Sequence, residues 1–316
     1  MTTPRQSSVD LGSPDRPFDN IINFRDVGRS INQAIGSRVV KEGVLFRSAR
    51  LDDASERDRR RLADELHIAT VLDLRSTQTG LTMKLPSTEH QMATRKRRGE
   101  DALAAGMDQS PLPAAPDEHL MAIPGVQRSL ISLVGKAFER TLLWRLDWYN
   151  LIRVLALVAS GYRTAAVTIV GEQVMAPRGL IGLGQDTLDS STGEMREIFE
   201  LLARAEAYPV VVHCTQGKDR TGLVVLLLLL LLGVVSEEAI AADYGKSEAQ
   251  LGVEFEERMK EIRMLGLDEE LTKCPPGFTA AMRAHLEARY GGVEGYLVAV
   301  GIDREKQEVI RQRLLA

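Results

Sequence analysis

The stretch VVVHCTQGKDRTG (210–222) and the apolar run LVVLLLLLLLGVV (223–235) that follows it constrain this chain more than any other segment. A short β-branched run reads as a buried strand, the glycines and polar residues after it as a tight loop, and the leucine-rich run as a helix. The apolar run is too short for a bilayer, which takes about 20 such residues, so it is expected to be a core helix. A buried strand feeding a buried helix is the repeating unit of α/β proteins. SERDRRRLADEL, with Ser55 as N-cap, followed by the apolar IATVLDLRS, repeats the rhythm as helix then strand. The expected fold is a mostly parallel central sheet flanked by helices, with the loop at the carboxyl end of the strand ending at His213.

Within that loop, five residues separate Cys214 from Arg220. Backbone N–H groups of such a turn converge into an anion nest at a helix N-terminus. The nest suits a phosphoryl group, and Arg220 can add a bidentate fork to two of its oxygens. The same positive field is expected to hold Cys214 as a thiolate, able to attack phosphorus. Gly217 and Gly222 permit the close turns. Thr221 can stabilise the sulfur as it leaves, and His213 is expected to shape the loop rather than act as a base. Thr215, Gln216 and Lys218 complete the anion site. Cys274 reads as a structural thiol.

Elsewhere the pattern is less specific. Residues 1–17 are polar and read as a disordered lead-in to a single domain over 18–316. Alternating Val, Leu and Phe between 18 and 50 suggest short strands. An insertion is expected at about 85–170: an irregular Pro- and charge-rich part (85–128), then two helices (129–170) forming a cap or lid over the pocket. Trp144 and Trp148 in that cap are expected to pack in its core rather than meet a membrane surface. GLIGLGQDTLDSS reads as a Gly-rich connection, and the last seventy residues as helices. The basic run Arg95–Arg98 is expected to be a solvated loop. A net charge of −4 gives no reason to expect nucleic-acid binding, and two cysteines without a CxxC pair fit a reducing, cytoplasmic setting. No transmembrane segment, metal or cofactor is expected.

HCTQGKDRTG resembles the signature of the protein tyrosine phosphatase superfamily, in the atypical branch of bacterial and fungal tyrosine/serine phosphatases. NFRDVG (23–28), LFRSARL (45–51), VLDLRS (71–76), the Asp243-Tyr244 pair and RYGGVEGYLVAVGI (289–302) are similar to that branch as well. Arg29 stands where the branch usually has a second glycine. The resemblance implies a cysteine phosphatase-like fold and hydrolysis of phosphotyrosine, and of phosphoserine/threonine, through a phosphocysteine. It also implies special roles for Lys218, adding positive charge toward multiply charged substrates, and for Asp219, the first candidate for the general acid. Asp26, Asp73 and Asp186 compete with Asp219 for that role. Arg25, Asp26 and Asp73 are candidates for the pocket lining; the alternative is that Arg25 and Asp26 brace the loop and that Asp73 and Arg75 form a buried pair. Two further alternatives are a phosphoinositide phosphatase and a silent module that binds phosphorylated ligands without turnover. A rhodanese-like sulfur carrier is disfavoured by Arg220 and the Asp-Arg-Thr-Gly run.

Overall fold

The computed structural model describes residues 18–75, 123–264 and 267–316. The expected disordered lead-in, most of the irregular stretch 85–128 and the basic run Arg95–Arg98 lie outside the described residues. Among the described residues, five strands form one sheet: β1 (Arg25–Asp26), β2 (Leu45–Ser48), β3 (Thr70–Asp73), β4 (Gln127–Leu130) and β5 (Val210–His213). Their order is β1-β2-β5-β3-β4; β1 alone is antiparallel, pairing with β2, and the other four run parallel. This is the expected mostly parallel sheet. Ser48, His213 and Asp73 stand in register at its carboxyl edge.

Side chains alternate across the sheet. Leu45, Leu72, Val210 and Val212 enter one core with the long apolar helix; Phe46, Val71 and Val211 enter a second core on the opposite face with Phe18, Ile21 and Leu62. These strands, covered on both faces, are fully buried, with apolar residues at their centres and the polar Arg47, Ser48, Asp73 and His213 toward their carboxyl ends. β4 departs from this rule: its sequence is Gln-Arg-Ser-Leu, and as the outermost strand it is half-exposed.

The helices are α1 (Val27–Ile35), α2 (Glu56–Arg60), α3 (Lys136–Trp144), α4 (Trp148–Ala159), α5 (Arg163–Val170), α6 (Ala176–Ser190), α7 (Thr192–Leu202), α8 (Asp219–Leu232), α9 (Glu237–Leu251), α10 (Phe255–Met264), α11 (Phe278–Tyr290), α12 (Val293–Ala299) and α13 (Arg304–Leu314). Ser55 caps α2 in a reciprocal box with Asp58. The leucine-rich run forms α8, buried on nearly every side and stopped by Gly233 in the left-handed region. No helix among the described residues is long and apolar enough to cross a membrane.

Five features differ from expectation. β4 begins at Gln127, inside the stretch expected to be irregular, and the cap holds three helices, α3, α4 and α5, where two were expected. Residues 27–35 form a helix rather than a strand, because Asp26 accepts from the Arg29 N–H as N-cap and Val27 and Ile31, one turn apart, share a buried face. The Gly-rich stretch 179–191 is mostly helical: Gly179 makes a kink at φ 58°, and Gly184 lets α6 lie against Met282 and Phe278 of α11, where a Cβ would come within 3.0 Å of Met282 Sδ. Trp144 and Trp148 are not in a core; each is 75% exposed. Helix α4 is apolar nearly all round. Val154 turns one side into the cap's own core of Phe138, Leu142, Leu146, Ala166, Ile169 and Leu183, while the other side faces solvent.

Candidate active site

Cys214 follows β5 directly, and Arg220 lies in the first turn of α8, so one strand–loop–helix unit carries both. The loop between them is held from outside through its carbonyls. Thr215 O accepts from Arg50 N (3.0 Å), Gln216 O from Asn23 Nδ2 (2.7 Å), and Gly217 O from Arg47 Nη2 (2.8 Å). Lys218 O accepts from Gly222 N (2.7 Å) and Arg47 Nη2 (3.3 Å). A trans peptide sets the carbonyl of one residue and the N–H of the next in opposite directions, and the one cis bond of the described residues is Tyr208–Pro209. Four outward carbonyls therefore turn the N–H groups of residues 216 to 219 inward, the donor array an oxyanion requires.

Gly217 sits at φ +64°, and a Cβ there would lie 2.0 Å from the Ser48 carbonyl oxygen. Gly217→Ala should therefore displace the loop. The expected result is at least a roughly 100-fold fall in kcat/KM toward an aryl phosphate, the scale attached to misplacing a reacting group by an ångström. Activity within a factor of three of the parent would show that the loop does not depend on this close approach.

Beneath the loop lies a buried ionic network. Asp243 pairs with Arg25 (Nε–Oδ1 2.8 Å) and Arg47 (Nη1–Oδ2 2.7 Å) and accepts from Ser30 Oγ (2.7 Å). Both guanidiniums hold its carboxyl far below the usual carboxylate range against the opposing effect of burial. Arg25 also donates to the side chain of Asn23, the residue that holds Gln216 O. Arg25 is thus placed behind the loop. Asp26 is turned to α1 and to Gly43 N (2.6 Å), with its carboxyl pushed up mainly by burial.

Asp73, fully buried, accepts from Arg75 and Arg128 and lies 3.6 Å from His213 Nε2. Burial works against its charge, but the ion pairs with Arg75 and Arg128 hold its carboxyl well below the ordinary range. Arg75 also binds Asp52 through both terminal nitrogens. The His213 ring is buried, which pushes its pKa down and keeps it neutral, and Nδ1 lies 3.3 Å from Cys214 O. That contact suits the loop-shaping role. Asp186 pairs with Arg145 at the end of α3 and with Arg178 before the kink of α6 (2.9 Å), so it ties the cap to its root.

Arg220 Nη2 donates to Thr215 Oγ1 (3.1 Å), bending the guanidinium back over the loop. Thr221 is fully buried, and its hydroxyl has no hydrogen-bond partner among the described residues. Lys218 is fully buried too; its Nζ donates to Lys273 O (2.6 Å) and lies 3.1 Å from Asp219 Oδ1. Asp219, one-third exposed, also accepts from Tyr244 Oη (3.1 Å). Burial and the Asp219 carboxylate push the Tyr244 phenol far up, so it stays a donor. Its ring stacks on Phe278 at 4.7 Å. Cys274 is half-buried, with Sγ 3.6 Å from Tyr244 O, and burial pushes its thiol up.

Asp219 and Arg220 line a cleft of about 270 Å³ whose walls are otherwise mostly apolar, with Phe138 from α3, Leu180 and Leu183 from α6, Leu223 from α8 and Phe278 from α11, and Thr187 beside them. The cap therefore shares this cleft with Asp219 and Arg220, which follow the loop directly. Among the described residues, no group of three or more His, Cys, Asp or Glu side chains is arranged to hold a metal ion. Asn23, Arg47 and Tyr244 enter the site without having been singled out individually from the sequence. The signal in reach was the company they keep: NFRDVG, LFRSARL and the Asp243-Tyr244 pair all converge on the loop.

Comparison with known proteins agrees with this geometry. A family model described as "Tyrosine phosphatase family" matches residues 16–142 and 159–316. The chain is 28% identical over 315 residues to the triple specificity protein phosphatase PtpB of Mycobacterium tuberculosis, covering 93% of this chain and 96% of that protein. It is 31% identical over 135 residues to a tyrosine-protein phosphatase of Nostoc commune, where the match covers 40% of this chain and just under half of the relative, 46%.

Proposed function

The chain belongs to the tyrosine phosphatase family, and from that premise we propose that Cys214 is the nucleophile of a protein-tyrosine phosphatase working through a phosphocysteine. The observation that carries the reading is the loop itself: four carbonyls drawn outward, amides turned inward, Cys214 at one end and Arg220 at the other. The amides and Arg220 bind the three non-bridging oxygens and gain strength as charge moves onto them in the transition state. Cys214 Sγ attacks phosphorus, the P–O ester bond breaks, and Asp219 protonates the departing oxygen. Water then attacks the phosphocysteine, giving a proton back to the Asp219 carboxylate. The sulfur leaves as thiolate, stabilised by the free hydroxyl of Thr221.

The substrate reading follows from the cleft. Apolar walls beside Asp219 and Arg220 suit the ring of phosphotyrosine. Lys218, the group that would favour a multiply charged head group, is buried and turned to Lys273 O and Asp219. That arrangement supports an aryl ester over a phosphoinositide, and a parallel panel of phosphotyrosine, phosphoserine and phosphothreonine peptides and phosphoinositides tests the order.

Asp219 lines the cleft and is held by Tyr244 Oη and Lys218 Nζ, which favours it over Asp73 and Asp186, each locked between arginines. With Asp219→Asn, kcat for phenyl phosphate should fall at least about 100-fold, the ordinary scale of general acid catalysis. Esters of good leaving groups such as p-nitrophenol should be affected much less, because they depart without a proton. An unchanged pH–rate profile and an equal loss across leaving groups would remove Asp219 from the role.

A further inference from the structure

Nine large hydrophobic side chains are exposed among the described residues, and six of them belong to one short stretch: Trp144, Trp148, Tyr149, Ile152, Leu155 and Tyr162. In α4, Trp148, Ile152 and Leu155 recur at i, i+4 and i+7 and so form one stripe, with Tyr149 beside it. The opposite side of the same helix is satisfied by the cap's core through Val154. An apolar stripe of this size in water calls for an occupant.

The surrounding charge favours one kind. Residues 136–163 carry five basic side chains, Lys136, Arg140, Arg145, Arg153 and Arg163, against two acidic ones, in a chain whose net charge is −4. Arg145 is paired with Asp186, and Asp147, the N-cap of α4, keeps its charge, so four basic side chains face two acidic ones. Tryptophan and tyrosine beside arginine, on a helix that lies flat, suit the head-group layer of an anionic bilayer, where the rings enter the acyl boundary and the guanidiniums stay with phosphate. A second copy of the chain fits less well, because a two-fold contact through this stripe sets Arg153 near its own counterpart.

We propose that the exposed face of α4, with Trp144 and Tyr162 at its ends, docks the protein on anionic phospholipid membranes. The same cap walls the cleft through Phe138, so docking sets the active site close to phosphate esters held at the membrane surface.

The protein supplies its own probe, since its two tryptophans are both in this patch. Titration of the full chain with vesicles of phosphatidylcholine and phosphatidylserine should shift tryptophan emission to shorter wavelength and protect it from acrylamide. Pure phosphatidylcholine vesicles should give much less, and added salt should reverse the effect. Ile152→Glu with Leu155→Glu should abolish co-sedimentation with anionic vesicles while leaving p-nitrophenyl phosphate hydrolysis unchanged. Arg153→Ala should weaken binding about fivefold. No spectral change with anionic vesicles overturns the proposal, as does a shift equal on neutral vesicles and insensitive to salt. So does a shift that appears without lipid as protein concentration rises, which would assign the face to a contact between copies.

Discussion

Cys214→Ser is expected to leave a folded protein with no measurable hydrolysis of p-nitrophenyl phosphate, a loss of about 10⁴-fold or more in kcat. A serine hydroxyl has the size for the site but not the acidity, and the loop offers it no base: the His213 ring is buried, which lowers its basicity, and its Nδ1 is taken up by the Cys214 carbonyl. The carbonyl clamps on residues 215–218 do not involve the Cys214 side chain, so the anion site should survive and phosphopeptides should still bind. The experiment pairs steady-state turnover with binding of a phosphotyrosine peptide. Retained turnover would sink the mechanism. Absent turnover in the parent protein, with binding intact, would instead favour a module that captures phosphorylated ligands.

The second large effect is expected from a residue that never meets substrate. Asp243→Asn removes the one carboxylate shared by Arg25 and Arg47, both almost fully buried. Breaking a buried pair leaves uncompensated charge, and the expected loss is about 3–5 kcal/mol of stability. Turnover should fall as well, since Arg47 carries the Gly217 and Lys218 carbonyls and Arg25 steadies Asn23. Unfolding by denaturant and kcat measured on the same samples test both parts; a variant as stable as the parent would remove the network from its bracing role. A pH dependence follows from the same groups. Asp243, Asp73 and Asp52 all have carboxyls depressed in the folded state. Depressed groups add stability that is fully present above the unfolded value, about 3.9, and is lost as pH falls toward the folded values. Stability should therefore decline steeply below about pH 4 in the parent, and less steeply in Asp243→Asn.

The strand–loop–helix unit was legible in the sequence because it is local. Strand, loop and helix are contiguous from Val210 to Leu232, so composition alone set Cys214 and Arg220 on one turn at a sheet edge. The braces were not legible in this way. Asn23 and Arg47 reach the loop from 193 and 170 residues away, and a buried arginine makes sense only beside the carboxylate that pairs with it. β4 escaped notice because an outermost strand reading Gln-Arg-Ser-Leu needs no apolar alternation. The glycines near 180 look like a loosened connection, yet Gly184 serves close packing of two helices, an effect visible only when the partner helix is in place. Trp144 and Trp148 misled for the opposite reason: helical spacing shows that a face exists, not that anything covers it.

The cap gathers its side chains around a small core of its own and is rooted to the rest of the chain through the carboxylate of Asp186 and the kink at Gly179. It reaches the cleft as a wall, while Cys214, Arg220 and their braces all come from elsewhere. Such a division gives natural selection two nearly independent texts to edit. Among descendants of one ancestor, the cap can diverge in outline to admit different esters while the reaction below is inherited unaltered.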